Sequence, residues 1–190
     1  MYKVRMHCRG GQGGKTGIKV LADAFYLEGM DVQAFSIYGA ERRGAPVASF
    51  LRVDENKIYE RGYIEDPDCV FVLDDSLLKV KEEVGIYKGL KKGGCLIVNT
   101  KKKFKGPLGI KTLAIDVNSI SKQAMNREDV VNIAILGAYS AFTKKIGMKS
   151  LEQAVYNMLG EKYSEWVAPN IKAMRKAYSE TEKLMKKKVF

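Results

Sequence analysis

The chain has 190 residues, of which 46% are hydrophobic and 29% charged, and its formal net charge at pH 7 is +11. This is the composition of an ordinary globular protein, and it excludes an intrinsically disordered chain. A chain of this length buries about 70% of its unfolded surface, so one domain over residues 1–190 has room for a substantial core. The longest apolar stretch, residues 130–142, is interrupted by three small or polar residues and is too short to span a bilayer.

The three cysteines, Cys8, Cys69 and Cys95, are far apart and form no C-x-x-C motif. Neither a zinc site nor an iron–sulfur cluster therefore has its ligands here, and we predict that this chain binds no metal. The first six residues include Lys3 and Arg5 and do not resemble a signal peptide. We therefore expect a cytoplasmic protein with reduced, buried thiols and no membrane partner.

The positive charge lies largely in a lysine-rich run, residues 101–105, and in the tail, residues 183–188. Neither segment interleaves its lysines with aromatic residues, and no DNA- or RNA-binding motif is present. A solvated basic face is therefore favoured over an RNA-binding surface, and we predict no nucleic-acid partner. The same charge would also suit an acidic partner protein or a ligand that carries phosphate.

The predicted elements begin with a strand, a glycine-rich loop, a helix and a second strand. Such a βαβ unit implies parallel strands joined by a right-handed crossover. Between the second and third strands, residues 38–45 form a predicted polar turn. The predicted strands are residues 2–8, 32–37, 47–53, 57–61, 68–73, 95–98 and 112–115.

Helical periodicity predicts helices over residues 15–28 and 127–145. A further helix is predicted between the strands 68–73 and 95–98. Ser150 and Gln153 have the spacing of a capping box at the start of a further helix, which Gly160 ends. Pro169 is placed in the first turn of the last helix. The order of elements predicts an α/β fold: a single three-layer α/β/α domain with a mostly parallel central sheet and a helical C-terminal third.

The loop between the first strand and the first helix contains the sequence RGGQGGKT. The phosphate-loop pattern G-x-x-x-x-G-K-[ST] matches Lys15 and Thr16 but finds Arg9 where its first glycine belongs. The dinucleotide pattern G-x-G-x-x-G matches Gly11 and Gly13 but ends on Thr16. A loop that opens a helix still favours an anion, through its N–H groups and the helix dipole. The alternative is a tight turn that lets the helix pack close to the sheet.

Few other residues are candidates for chemistry. His7 is the only histidine, and with no nucleophile or carboxylate at a recognisable spacing we interpret it as a strand-end residue. Arg42 and Arg43 follow the second strand, at the sheet edge where α/β proteins bind ligands, although a charged surface turn is an equal alternative. Asp74 and Asp75 are predicted to cap the following helix rather than to bind a metal. We predict no catalytic residue in this chain, which is typical of one part of a larger enzyme.

Two motifs, R-G-G-Q-G at residues 9–13 and Y-G-A-E-R-R-G-A-P-V at 38–47, are specific in combination. The matching segments that accompany them are L-A-D-A at 21–24, F-L-R-V at 50–53, P-D at 67–68, V-F-V-L-D at 70–74 and N-I-A-I-L-G at 132–137. Over essentially its whole length the chain thus resembles the gamma subunit of the 2-oxoacid:ferredoxin oxidoreductases. The E-R-R-G-A-P-V form is more similar to the pyruvate and branched-chain enzymes than to the 2-oxoglutarate or indolepyruvate types.

The chain departs from the family pattern at two places in the loop. Cys8 stands where the family usually has glycine, and because a Cβ restricts the backbone we expect an altered start of the turn. Lys15 and Thr16 are also more polar than the apolar helix start that the family commonly has.

The resemblance implies a multisubunit enzyme of anaerobic metabolism, most similar to pyruvate synthase. Such enzymes oxidatively decarboxylate a 2-oxoacid with coenzyme A and ferredoxin, giving acyl-CoA, CO2 and reduced ferredoxin. In the family, thiamine diphosphate and Mg lie between the alpha and beta subunits, and iron–sulfur clusters lie in delta-type and sometimes beta subunits. The resemblance therefore implies that this chain alone binds no cofactor and is inactive, and that its partners are the alpha, beta and delta-type subunits, with ferredoxin as the acceptor.

The resemblance also assigns a functional edge to this chain, formed by Gly10, Gly11, Gln12 and Gly13 of the loop together with Arg42 and Arg43. These residues are expected to line coenzyme A or a subunit contact rather than to transform the substrate. Two alternatives remain open. One is a free-standing nucleotide-binding protein that uses Lys15 and Thr16, and the other is a basic RNA-binding domain.

Overall fold

A computed structural model describes residues 1–37 and 44–187 of the chain. The described residues form six strands, a 3-10 helix over Asp75–Val80 and five α-helices. The strands are β1 (Tyr2–Arg9), β2 (Asp31–Ile37), β3 (Pro46–Asp54), β4 (Cys69–Val72), β5 (Cys95–Asn99) and β6 (Lys111–Ile115). The helices are α1 (Gly14–Leu27), α2 (Val117–Met125), α3 (Ala134–Thr143), α4 (Met148–Leu159) and α5 (Ser164–Lys187).

The six strands form one sheet in the order β2-β3-β1-β4-β5-β6. The four strands β1, β4, β5 and β6 are parallel to one another, whereas β3 is antiparallel to both β1 and β2. The predicted α/β fold with a mostly parallel sheet is therefore confirmed. β1 and β2 run in the same direction, as predicted, but β3 lies between them, because β3 pairs with β1 along its whole length, from Tyr2 opposite Val53 to Arg9 opposite Pro46.

The helices cover one face of this sheet. α1 packs against β1, β2 and β3, α3 reaches β5, and α4 and α5 pack on α1 and α3 from outside. The main hydrophobic core lies between this layer and the sheet, with Phe71 and Ile97 fully buried in it. α3 is apolar nearly all round because the sheet and α5 cover it from two sides, which agrees with the prediction of a buried helix.

The other face of the sheet has no α-helix among the described residues. A second apolar cluster there, which includes Val70 and Val98, is covered by Leu77 of the 3-10 helix and Ile86 of the following turns. The helix predicted between β4 and β5 is therefore wrong beyond its first six residues, because the chain turns repeatedly, with a left-handed residue at Gly85. The third layer consists of the 3-10 helix and turns.

Two buried arginines hold the irregular segments against this second face. Arg5 of β1 is 5% exposed and donates to the backbone carbonyls of residues 64, 85, 86 and 88. Arg52 of β3 is 2% exposed and donates to the carbonyls of residues 62 and 63 and to Gln33 Oε1. Because the guanidinium groups supply the donors, these segments satisfy their carbonyls without forming regular structure.

Residues 57–61 do not form the predicted strand. The backbone N–H of Ile58 donates to Asp31 Oδ2 over 2.6 Å, and the carbonyl of Glu60 accepts from Gln33 Nε2 over 3.1 Å. Side chains of β2 therefore bind this segment in place of a strand partner.

The helical third differs from the prediction at its boundaries. α2 was not predicted, although Asp116 caps it by accepting from the Ser119 N–H over 3.0 Å and the left-handed Asn126 ends it. The helix predicted over residues 127–145 begins only at Ala134, because the preceding residues, including Asn132, pack against the glycine-rich loop.

The predicted capping box at α4 is wrong. α4 begins at Met148, and the carboxylate of Glu28, at the end of α1, accepts from both the Gly147 N–H at 3.0 Å and the Ser150 hydroxyl at 2.7 Å. A carboxylate from another helix therefore replaces the local cap. Pro169 is the sixth residue of α5 rather than part of its first turn. None of the helices within the described ranges is long and apolar enough to cross a membrane.

Candidate functional site

The glycine-rich loop turns the chain from the end of β1 into α1. Gly11 and Gly13 have φ angles of +97° and +73°, in the left-handed region that favours glycine. Gly13 directly precedes α1, so the loop delivers the amino end of that helix to the carboxyl edge of the parallel strands. The first N–H groups of a helix lack intrahelical partners, which makes this end favourable for an anion.

Three glycines of this region are required for close packing. A Cβ on Gly17 would lie 2.8 Å from the carbonyl oxygen of Asn132, and one on Gly13 would lie 2.6 Å from Asn132 Nδ2. A Cβ on Gly14 would overlap the sulfur of Cys8. The tight-turn interpretation thus accounts for Gly13, Gly14 and Gly17. Gly11 is exposed and has no atom within 4 Å of an ideal Cβ, so its left-handed backbone explains the glycine but packing does not.

Gln12 and Arg9 connect the loop to the residues that follow β4. Gln12 Oε1 accepts from the Arg9 N–H at 2.7 Å, and Gln12 Nε2 donates to Asp74 Oδ2 at 2.8 Å. The Arg9 guanidinium donates to Ser76 Oγ at 2.8 and 2.9 Å and to the carbonyl of Gly44 at 2.9 Å. No structural role was predicted for Arg9 or Ser76, because the partners of each side chain are distant in the sequence.

The two aspartates after β4 have separate roles. Asp74 Oδ1 accepts from the Ser76 N–H over 2.9 Å, so the predicted helix cap is confirmed for Asp74. Burial opposes its ionisation, but hydrogen bonds from Ser76 and Gln12 and the Arg9 charge outweigh burial and lower the pKa of Asp74. Asp75 instead accepts from the Thr100 hydroxyl over 2.7 Å, which links the ends of β4 and β5.

A cavity of about 320 Å³ opens beside Gln12 at this edge of the sheet. Its floor includes Asn99, the buried last residue of β5, which donates to the Leu73 carbonyl over 2.9 Å and accepts from the Val117 N–H over 2.9 Å. Asn99 thereby joins the carboxyl ends of β4 and β5 to the amino end of α2. Asn99 was not predicted as a site residue, although a polar residue at the end of an apolar strand is a recognisable signal in the sequence.

Arg42 and Arg43 lie outside the described residues, so the structure does not place them. The residue that follows them, Gly44, donates its N–H to the carbonyl of Gly10 over 3.2 Å. The Gly10 N–H in turn donates to the carbonyl of Ala45 over 2.8 Å. The chain therefore returns from the predicted arginine turn directly beside the glycine-rich loop.

The two residues that precede the loop do not have the protonation properties of catalysts. Burial, reinforced by the charge of Arg5, lowers the pKa of His7 to about 3, so the imidazole is neutral at physiological pH. Burial also raises the pKa of the Cys8 thiol to about 11, despite a hydrogen bond from the Gly14 N–H. Cys8 pairs with Val47 in regular β-structure, so the turn begins after Cys8.

The other residues considered from the sequence remain separate from this edge. Lys15 is exposed on the first turn of α1. Cys69 and Cys95 face each other across β4 and β5 at the opposite, amino-terminal ends of those strands, and all three cysteines are buried and reduced. Among the described residues, no group of three or more His, Cys, Asp or Glu side chains is arranged to hold a metal ion.

Comparisons with known proteins identify the family. The family profile described as pyruvate ferredoxin/flavodoxin oxidoreductase matches residues 3–180. The chain is 39% identical to the pyruvate synthase subunit PorC of Methanocaldococcus jannaschii, over 95% of this chain and 97% of that one. It is 41% identical to the common gamma subunit of the pyruvate/ketoisovalerate oxidoreductases of Pyrococcus furiosus, over 96% and 98% of the two chains.

A solved structure agrees with this match. The crystal structure of the pyruvate oxidoreductase subunit PORC from Thermotoga maritima superposes with a TM-score of 0.79 at 33% identity, covering 94% of this chain and 95% of that one. Fold, length and sequence thus agree along nearly the whole chain, which belongs to the pyruvate ferredoxin/flavodoxin oxidoreductase family and is a gamma-type subunit of a 2-oxoacid:ferredoxin oxidoreductase.

Proposed function

We propose that this subunit lines the coenzyme A side of the active site in an enzyme that converts a 2-oxoacid, coenzyme A and oxidised ferredoxin to acyl-CoA, CO2 and reduced ferredoxin. Pyruvate is the favoured 2-oxoacid, and 2-oxoisovalerate is the alternative, since the relatives carry the names of both enzymes. The residues assigned to this role are Gly10, Gly11, Gln12 and Gly13 of the loop, with Arg42 and Arg43 of the following turn.

The position of Gly11 carries the proposal. It is exposed, left-handed and open to solvent, whereas Gly13 and Gly14 are required for packing. A glycine without a packing role permits a ligand to approach the backbone closely, beside the amino end of α1. Gly44 and Ala45 are hydrogen-bonded to Gly10, so the residues that directly follow the predicted arginine turn lie beside this same loop. The phosphate groups of coenzyme A suit two arginines, because guanidinium groups bind phosphate bidentately.

The remaining cofactors are assigned to other subunits. Cys69 and Cys95 face each other across β4 and β5, but Cys8 lies near the opposite edge of the sheet, so the three cysteines cannot together ligate an iron–sulfur cluster and the described residues do not fit that group. We assign thiamine diphosphate with Mg to the alpha and beta subunits, and the clusters to delta-type and beta subunits. The isolated chain is expected to be inactive. The reduced thiols favour a cytoplasmic location for the assembled enzyme.

The experiment is steady-state kinetics of the assembled enzyme carrying Arg42→Ala or Arg43→Ala. Loss of one charge-assisted hydrogen bond costs roughly 1.5–3 kcal/mol, so the KM for coenzyme A should rise by about 10- to 100-fold. The KM for the 2-oxoacid should not change, because its binding is assigned to other subunits. Arg61→Ala, at an arginine that contacts only nearby carbonyls within the described structure, is the matched control.

Two results would contradict the proposal. The first is an unchanged KM for coenzyme A in both variants. The second is a loss of several degrees in melting temperature with normal coenzyme A kinetics, which would make the arginines structural. A change in subunit association alone would assign the edge to a subunit contact.

A further inference from the structure

A groove runs between the lysine-rich segment that follows β5 and the helices α2 and α5. Its volume is about 720 Å³. We call it the lysine groove and define it by the lysines of its walls and the apolar side chains of its floor. The wall residues are Lys101, Lys102, Lys103 and Lys176, and the floor residues are Ile115, Ile120 and Leu184. None of these residues is assigned to the proposed coenzyme A site, although Lys101 and Lys102 also line the cavity beside Gln12.

The charge of the groove is predominantly positive. The two acidic residues that line it already have partners: Asp116 accepts from the Ser119 N–H at the start of α2, and Glu180 Oε1 lies 2.9 Å from Lys183 Nζ. On the wall, Lys102 Nζ lies 3.6 Å from Asp75 Oδ2 but remains 78% exposed. Because the acidic groups are engaged locally, the walls present a surplus of ammonium groups to any partner.

The shape and chemistry of the groove favour a protein segment. Ile115 and Ile120 are buried, and Leu184 is half-buried, so the floor is aliphatic and suits apolar side chains. Phe104 also lines the groove, but it is half-buried against the apolar cluster on the second face of the sheet, so the groove lacks the exposed aromatic platform on which single-stranded nucleic acids are bound. Lys101, Lys102 and Lys103 are consecutive along one wall, so their ammonium groups suit a segment that carries several carboxylates.

We infer that the lysine groove binds an acidic segment of another subunit of the same enzyme, with carboxylates along the lysines and apolar side chains on the floor. The net charge of +11 supports an acidic partner, since complementary charge steers association and fixes the register of an interface. This inference depends on the chain being an enzyme subunit and is independent of the proposed coenzyme A site.

Zero-length carbodiimide cross-linking of the assembled enzyme tests the contact directly. The reagent joins a lysine amine to a carboxylate only when the two are in contact. Mass spectrometry should find Lys101 or Lys103 joined to Asp or Glu residues of another subunit. Cross-links only to carboxylates of the same chain, or none from these lysines, would overturn the inference.

Charge reversal tests the energetics. In the double variant Lys101→Glu, Lys103→Glu, carboxylates would face the carboxylates of the partner. The variant subunit should therefore dissociate from the complex at a lower salt concentration than wild type, and the apparent Kd of assembly should rise at least about tenfold. Lys149→Glu with Lys162→Glu makes the same charge change at two exposed positions outside the groove and should change Kd by less than about twofold. Equal effects of the two pairs would contradict the inference.

Two further measurements separate the inference from misfolding and from nucleic-acid binding. Lysine substitutions at the cross-linked acidic residues of the partner should restore assembly of the Lys101→Glu, Lys103→Glu variant. Failure of that rescue would count against the contact. If this variant assembles normally but loses affinity for heparin or an oligonucleotide, the groove is a polyanion site and the inference is refuted.

Discussion

Gln12 donates a hydrogen bond from Nε2 to Oδ2 of Asp74 over 2.8 Å, joining the glycine-rich loop to the end of the neighbouring parallel strand. The same Gln12 side chain accepts from the Arg9 N–H over 2.7 Å. One amide therefore uses both its donor and its acceptor to set the loop against the sheet. A carboxylate at this position would retain the acceptor and lose the donor, although the two side chains are nearly the same size.

Gln12→Glu should therefore destabilise the protein by roughly 1–3 kcal/mol at pH 7, because two carboxylates would replace a donor and an acceptor. In the wild type the pKa of Asp74 is lowered, so its ionised carboxylate stabilises the folded state. This stabilisation is fully present above the pKa of an unfolded Asp and is lost as pH falls through the folded pKa. In the variant one carboxyl pKa is raised, so stability should instead increase as pH falls through that raised pKa. Urea unfolding at pH 7 and pH 5 measures this, and equal losses at both values would contradict the prediction.

Gly14 and Cys8 form a second pair, in which the glycine leaves room for the sulfur. Gly14→Ala should cost about 1–3 kcal/mol, because its Cβ would overlap Cys8 Sγ in a packed region. Cys8→Ala removes that sulfur, so the double variant should recover at least about 1 kcal/mol of the loss. Gly147→Ala is the control, since its Cβ would meet only the flexible end of Glu28 at 3.3 Å. Strict additivity of the two substitutions would show that the overlap does not determine stability.

His7 should make the protein less stable in mild acid. Its pKa is about 3 in the folded state, and the unfolded imidazole has a pKa near 6.5. Between these values the unfolded chain binds one more proton, so stability rises with pH by up to about 1.4 kcal/mol per pH unit. His7→Leu should flatten this dependence between pH 5.0 and 6.5, measured by urea unfolding. Parallel curves for the two proteins would show that another group is responsible.

Mg-ATP should not bind tightly to the glycine-rich loop. The phosphate-loop pattern has Arg9 in place of its first glycine, and the Arg9 side chain is held by Ser76 and Gly44 in the structure. We expect isothermal calorimetry to find no dissociation constant in the micromolar range. Micromolar binding that Lys15→Ala abolishes would instead support the nucleotide-binding alternative.

Much of the fold could be predicted from local sequence. The apolar run of β1, the glycines after it and the helical spacing of α1 each reflect contacts within a few residues, and all three elements form as predicted. The short strands β4 and β5 were also recognisable, because strands buried on both faces have continuous apolar sequences. The family motifs also assign Gln12 to a functional edge, which stays a prediction, and its partner Asp74 was not predictable from the sequence.

The tertiary structure alone decided the sheet order and the contacts of the site. β3 separates β1 from β2 because its pairing with β1 gains hydrogen bonds along eight paired positions, and local sequence carries no record of strand neighbours. The partners of Arg9 and Asn132 lie 67 and 119 residues away. The lysine groove likewise combines the segment after β5 with α5, which are distant in sequence. Periodicity shows which face of an element is apolar, but which elements meet depends on how the whole chain buries those faces together.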